Sequence, residues 1–532
     1  MPMGERSRSV PQQIAIIGGG ISGIACSWRL RNHGCNVDLY EAEDRLGGHA
    51  NSVPFNGNGR TINVDTGFIA MDEVTYPQFS DFLRHLGVHT IPTDMSFGVS
   101  AANGAIQWGS YSIRSFVGCL SNLFRPWFWR IAFDALRFSI SAHEIFHEEL
   151  GPLTTAGGID DVVVNDPKSV MKLNAIESIG DYLRRQGYSE QFITYYSIPM
   201  AASPWCIEPD EFRDSFPAKV LIRFMMSHGL LDTVTRSLNW RSFSNGSRTY
   251  IDAFQKQMPQ HHQLHLKRPI RKVVRLGDRV AIELPDHSWQ TYDHVVLAVH
   301  ANQALKLLGD GATTMERKIL GSFQTRKNIC YLHSDTSLLP RRESAQVAWN
   351  CFLSSGNHIS DEKASHLTPK PSISLTFDMN KLQKIPLPGE PESPGRVLVS
   401  MNPLRVPYKL QSTHVYHHPL INLESISMVQ SLNKINGVEN ISFAGAWMGF
   451  GFHEDGFAAG SHVASMLING VENTEPLNLM NGDKEEYRGG APVAGRLRDL
   501  LPVGCYELRR GLAQGTILIA YSGSGVKRTE SG

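Results

Sequence analysis

Hydrophobic runs and their spacing divide the chain before any motif is considered. Ile14–Ile17 is a short uninterrupted apolar run, the pattern of a central parallel strand buried on both faces. Glycines follow at once, and Ile24 to His33 then reads as a helix closed by Gly34 at its C′ position. Asn36–Tyr40 reads as a second strand. Farther along, Leu264–Val273 and Val280–Leu284 alternate apolar and polar residues like a meander, and Asp293–Val299 returns to the buried-sheet pattern. Two long intervals separate these pieces. The first holds helix-like stretches at Trp127–Leu150, Ala175–Gln186 and Phe216–Leu231. The second reads as strands, Lys327–Leu332, Ser372–Phe377 and Val397–Met401, between loops rich in Pro, Ser and Gly. Beyond residue 475 the chain is rich in glycine and charge, which predicts partial disorder with a short helix at Arg496–Leu501. No internal repeat is evident.

Composition narrows the classes this α/β pattern can serve. The 532 residues carry 51 basic and 51 acidic side chains, so the formal net charge is zero, against the basic surplus of a general nucleic-acid binder. Seven scattered cysteines with no C-x-x-C spacing argue against a disulfide scaffold or a thiolate zinc site, and favour a reducing compartment. No secretory signal and no uninterrupted apolar run of spanning length is found, so a cytoplasmic location is expected. Ser115–Phe133 is the one aromatic-rich stretch, interrupted by Arg125, Pro126 and Arg130. It fits a helix pair lining an apolar cavity, with peripheral contact to a bilayer as the alternative.

The first chemical motif is Gly18-Gly-Gly20-Ile21-Ser22-Gly23, a G-x-G-x-x-G placed between strand and helix. Gly18 permits the tight turn, Gly20 lets the backbone approach a pyrophosphate, and Gly23 lets the helix pack on the strand. The helix N-terminus offers free N–H groups and the positive dipole end to the phosphates. Glu41 ends the second strand where this fold puts an acceptor for ribose hydroxyls. Arg45, Gly47 and Gly48 extend the site. A Gly-Gly turn plus a cation suits a cofactor with a longer reach than NAD.

In this E-x-x-x-R-x-G-G continuation the sequence resembles the flavin-containing amine oxidase and phytoene desaturase superfamily. The likeness extends to Ile441–Gly460, where Gly445 and Asp455-Gly456-Phe457 match a strand, a glycine-rich loop and a helix opening. In that superfamily the loop approaches the pyrophosphate and ribityl chain, and the helix N-terminus faces the flavin N1 and O2 edge. The resemblance therefore implies noncovalent FAD, since no cysteine lies in the segment where some amine oxidases attach it. It implies a Rossmann-like FAD-binding domain of the glutathione-reductase type (GR2), assembled from 11–75, 246–322 and 426–475. An inserted α+β substrate-binding domain would comprise 76–245 and 323–425, followed by a tail, 476–532. Further cofactor contacts implied are Ile21, Ser22, His49 (where amine oxidases usually have arginine), Gly67, Phe68 and Ile270, the last through its backbone to adenine. Lys327 matches a lysine that faces flavin N5 through a water in amine oxidases. Val64–Phe68, Thr75–Pro77, Phe216–Ala218 and Gly451–Gly456 are similar to a subgroup related to the flavin region of plant cyclopropane fatty acid synthases.

The activity so implied is hydride transfer from a lipophilic substrate, such as an acyl chain, polyene or hydrophobic amine, to flavin N5. A redox-neutral double-bond isomerase and a non-catalytic flavoprotein module for a lipid-modifying partner are the alternatives. The oligomeric state is left open. Other chemistry is less well supported. His261-His262-x-x-His265 and His414-x-x-His417-His418 lack acids or cysteines at ligand spacing, so no metal is expected. His453-Glu454 lacks the second histidine of a zinc-hydrolase helix, and Ser203-Pro-Trp-Cys206 is not a nucleophile elbow.

Overall fold

The computed structural model describes residues 11–101, 104–148, 177–228, 239–354 and 372–470, together with 474 and 477. Its organising element is a five-stranded parallel sheet. In chain order the strands are β1 (Gln13–Ile17), β2 (Asn36–Tyr40), β3 (His262–His265), β4 (His294–Leu297) and β5 (Ile441–Phe443). They lie side by side as β3-β2-β1-β4-β5, every neighbouring pair parallel. Ile14, Ile16, Val295, Val296 and Leu297 are fully buried, which is why these strands are continuously apolar rather than alternating. The strand order reverses between β1 and β4, and a crevice opens there at the carboxyl ends, where ligands of open α/β sheets sit.

Helix α1 (Ile21–Leu30) follows β1, and α2 (His453–Asn469) follows β5. The two pack against each other through glycines. A Cβ added at Gly456 would lie 2.6 Å from Ile21, and one at Gly460 would lie 2.0 Å from the Ser22 carbonyl oxygen. Helix α1 starts and stops three residues earlier than the hydrophobic period suggests. Its N-cap is Gly20 itself, and residues 31–34 form a turn, so Gly34 does not cap the helix.

The meander is also redrawn. Lys272–Arg275, Val280–Glu283 and Trp289–Tyr292 form a three-stranded antiparallel sheet, whereas His262–His265 leaves it to become the edge strand β3 of the parallel sheet. Alternation of polar and apolar residues is equally what a parallel strand shows when it sits at an edge with one face open.

Over the crevice lies a seven-stranded sheet. It joins Leu410–Pro419, Thr325–His333, Leu398–Met401, Ser372–Asp378, Trp349–Ser354, Phe97–Ala101 and Ile106–Gly109 in that spatial order. The last two strands come from the interval that reads as helical in sequence. Helices at Pro126–Glu148, Ile179–Arg185, Pro209–Ser215 and Ala218–Ser227 pack beside this sheet. The Ile179–Arg185 helix begins later than the expected Ala175, because Ser178 caps it by accepting the Asp181 N–H at 3.1 Å. The expected helix at Arg496–Leu501 lies outside the described residues. Among the described residues no helix is long and apolar enough to cross a membrane.

Candidate dinucleotide and substrate site

One cavity of about 860 Å³ runs from the crevice of the parallel sheet into the space beneath the seven-stranded sheet. That is large for a small-molecule site. Two helix N-termini open onto it: Gly20, Ile21 and Ser22 at the start of α1, and Phe452 and His453 at the start of α2. Both present unpaired N–H groups and the positive dipole end.

The glycines of the first loop hold different jobs. Gly18 has φ +111° and a Cβ there would sit 2.3 Å from the Ala298 carbonyl oxygen, so backbone and packing both demand glycine. Gly23 is fixed by packing, its Cβ position lying 2.0 Å from the Gly18 carbonyl oxygen. Gly20 is different. Its φ of −72° suits any residue, and a Cβ there meets no atom within 4 Å. Neither strain nor packing explains this glycine; room in the cavity for a closely approaching ligand does.

Glu41 lines the cavity and is held by the loop it serves. Its carboxylate accepts the Gly19 N–H at 2.7 Å and the Glu43 N–H at 2.8 Å. Gly47, Gly48, His49, Gly67, Phe68, Ile270 and Gly445 also line the cavity. Arg45 does not. Its guanidinium donates to the Gly48 carbonyl at 3.0 Å and pairs with Glu43 at 3.0 Å, so it shapes the Gly-Gly turn rather than presenting charge to a phosphate. Gly23, Gly456 and Phe457 likewise stand behind the wall, Phe457 packed 5.0 Å from Phe82.

Asp455 also lies behind the wall. It accepts the Phe452 N–H at 2.8 Å and further backbone N–H groups of Phe450 and Gly451, folding the glycine loop that leads into α2. Burial pushes its carboxyl up to about 7.

Lys327 is corrected by the structure. It is exposed on Thr325–His333, opposite His417, and does not line the cavity. In an extended strand successive side chains leave on opposite faces, and the neighbour Asn328, fully buried, takes the inward position.

What sequence reasoning undervalued is a group of imidazoles. His49 lies 5.5 Å from His418 and 6.0 Å from His300, ring to ring. His453 stacks on Phe68 at 3.8 Å and shares a 2.9 Å hydrogen bond with the Tyr250 hydroxyl. Desolvation pushes His300 and His418 down to about 4 and His453 to about 3, and holds His49 well below the ordinary imidazole range. Burial thus favours the neutral form of all four, which leaves the helix ends and the cavity-lining Arg268, Arg271 and Lys306 as the sources of positive potential. His49 lines the cavity, and its Nε2 is buried beneath that surface without a partner among the described residues. The signal available in sequence was position: His417-His418 closes a strand immediately before Pro419. Among the described residues, no three His, Cys, Asp or Glu side chains gather as a metal would require.

The far half of the cavity is built otherwise. Phe97, Trp108, Tyr196, Met200, Trp349 and Phe377 line it. Tyr196 stands on a π-helical turn, Ile193–Ser197, a local widening that recurs at functional sites. The charged residues lining the cavity, Glu41, Arg268, Arg271 and Lys306, all belong to segments that follow strands of the parallel sheet. His228 is the imidazole of the far half, pushed down to about 4 by burial. Trp349 Nε1 is buried there with no partner among the described residues.

A parallel sheet ordered 3-2-1-4-5, a glycine loop under a helix N-terminus and an acid ending the second strand define a dinucleotide-binding Rossmann-like protein. Comparison with known proteins agrees. The family described as NAD(P)-binding Rossmann-like domain matches residues 16–86. Mitochondrial protoporphyrinogen oxidase of Nicotiana tabacum is 43% identical over 54 residues, 10% of this chain and 11% of that protein. The FAD-dependent oxidoreductase dbaF of Emericella nidulans is 36% identical over 88 residues, 16% of this chain and 18% of that protein. The chain thus spans only a small part of the curated relatives it matches. Solved structures extend the likeness to the whole fold. The CLA-producing fatty acid isomerase from P. acnes aligns over 85% of this chain and 98% of its own, with TM-score 0.58 and 14% identity. Cyclohexylamine oxidase from Brevibacterium oxydans aligns over 87% of this chain and all of its own, with TM-score 0.56 and 13% identity. The chain therefore shares its overall fold with these structures. The finer likeness to plant cyclopropane fatty acid synthases is not carried by these matches.

Proposed function

We propose that this chain is an FAD-dependent oxidoreductase that removes hydride from a carbon of a lipophilic substrate. The observation that carries the reading is the division of one continuous cavity into a half walled by backbone N–H groups and a half walled by uncharged side chains. The residues present fit FAD. The open space over Gly20 admits a pyrophosphate beside the α1 N-terminus, and Glu41 accepts from a ribose. The start of α2, shaped by Asp455, offers its dipole to a developing anion. FAD, when bound, supplies the two-electron acceptor.

The protein's part is binding, orientation and exclusion of water. An acyl chain, polyene or hydrophobic amine suits the far half, since a permanently charged substrate would be desolvated there without a partner. The test is anaerobic mixing of FAD-loaded protein with long-chain lipids and amines. Substrate-dependent bleaching of the flavin absorbance supports the proposal; an unchanged spectrum with every such compound points to a non-catalytic module.

A second reading has one observation of its own. The full-length structural match to a fatty acid isomerase suits a redox-neutral shift of a double bond, with hydride removed and returned. Consumption of oxygen or an added acceptor during turnover distinguishes oxidation from isomerisation.

A further inference from the structure

The segment between Asp94 and Asp134 contains no acidic residue and three arginines, Arg114, Arg125 and Arg130. It folds as the strands at Phe97–Ala101 and Ile106–Gly109, a short helix at Ile113–Val117, a 3₁₀ turn at Leu120–Phe124, and the start of the Pro126–Glu148 helix. The inward side chains of these elements interlock: Phe116 lies 6.0 Å from Trp108 and 5.7 Å from Phe128, ring to ring. The outward ones are apolar too. Ile113 is 83% exposed, Phe124 87%, Leu120 76% and Trp129 57%. Four large apolar groups, from three consecutive elements, form a surface that a protein surrounded by water alone does not need.

Charge says what covers it. Arg114 and Arg125 are exposed and make no ion pair among the described residues, and Arg130 is tied to Asp134 at 3.1 Å. Aromatic and aliphatic groups interleaved with unpaired arginines match the headgroup region of an anionic bilayer: the rings enter the acyl boundary and the guanidiniums meet phosphates. The location adds a second reason. Trp108 and Ser110 line the cavity, and the next residue, Tyr111, is 70% exposed. The apolar surface starts where the cavity wall ends.

We propose that this face, Tyr111 to Trp129, docks the protein on an anionic lipid surface. The attachment is peripheral and independent of the flavin reading: its failure would leave cofactor binding untouched, and loss of the cofactor would leave the face exposed. Full-length protein is sedimented with vesicles of phosphatidylcholine alone or of phosphatidylcholine mixed with phosphatidylserine. The expected result is co-sedimentation with the mixed vesicles, reversed by high salt. Arg114→Ala and Arg125→Ala should each weaken it by about fivefold, and Phe124→Asp with Trp129→Asp should abolish it. These positions are exposed, so thermal midpoint and cofactor content report that the variants fold. Wild-type protein left in the supernatant would overturn the proposal, as would variants that sediment like wild type. So would a dimer, seen by mass photometry, that Phe124→Asp disperses, because the occupant would then be a second copy of this chain.

Discussion

The two halves of the cavity are made from different materials. The half at the parallel sheet is walled by main chain: the Gly18–Gly20 and Gly47–Gly48 turns, Gly445, and the first N–H groups of two helices. The half under the seven-stranded sheet is walled by side chains, contributed by strands and helices far apart in sequence. A backbone wall recognises a group common to many ligands, and it tolerates little change because Gly18 and Gly47 answer close backbone contacts and Gly20 leaves the space open. A side-chain wall recognises shape and apolarity, and it can be re-cut residue by residue. Conserved chemistry with variable specificity is what such a division permits.

The sharpest way to break the comparison is at Gly20. A valine there has allowed backbone and space to fold, yet fills the position a pyrophosphate would take. The Gly20→Val protein is expected to fold, with the thermal midpoint of the apoprotein, and to purify colourless. Gly23→Val, with its Cβ 2.0 Å from the Gly18 carbonyl oxygen, is expected not to fold at all. A yellow Gly20→Val protein with full FAD would remove the backbone half from the argument.

The opposite experiment belongs in the other half. Met200 is partly exposed to the cavity beside Tyr196 and Trp205. Met200→Lys puts an unpartnered charge among apolar walls, and kcat/KM for the lipophilic substrate should fall by roughly a hundredfold while FAD content stays unchanged. Met200→Leu should behave as wild type. Loss of flavin in the lysine variant would mean that the two halves are not separable.

A smaller effect is expected at Glu41. Its carboxylate accepts two backbone N–H groups, so Glu41→Ala loosens the loop as well as removing the acceptor. Charge-assisted hydrogen bonds of this kind are worth about 1.5 to 3 kcal/mol, which corresponds to FAD binding weaker by roughly 10- to 100-fold in titration calorimetry. Unchanged affinity would confine Glu41 to a structural role.

The same division explains what could be read from the sequence. The backbone half is local: strand, glycine loop, helix and Glu41 occupy one short stretch, and each glycine leaves a visible mark. Even there Arg45 was misjudged, because a motif shows that a cation is nearby but not that its hydrogen bonds turn to the Gly48 carbonyl. The side-chain half is assembled by long-range pairing. Phe97–Ala101 pairs in parallel with Trp349–Ser354, a register no local pattern encodes. Lys327 failed for a related reason: a motif match to a strand fixes position along it, whereas the face depends on a one-residue register. The histidines were visible in the sequence, but their grouping was not, and neither was the burial that favours their neutral form.

The smallest predicted effect tests the hinge between the halves, where Asp455 folds the loop leading to α2. Its carboxyl is raised from an ordinary value near 3.8 to about 7 by burial. A raised folded-state value means that stability from this group is fully present below the unfolded value and is lost as pH climbs through about 7. Between pH 6 and pH 8 the wild-type protein should therefore lose about 1.4 kcal/mol from Asp455 alone. The buried histidines act in the opposite sense: His300, His418 and His453, depressed in the folded state, contribute stability above about 6.5 that is lost on acidification. Absolute pH profiles mix the two, so the test is a difference. Asp455→Asn keeps the shape of the side chain and removes the titration, while the histidines cancel between variant and wild type. Relative to wild type, the thermal midpoint of Asp455→Asn apoprotein should rise between pH 6 and pH 8 by about 1 to 2 °C. A difference that stays flat over that range would mean that Asp455 is already ionised at pH 6, and that the loop is held open to water rather than closed beneath the cavity.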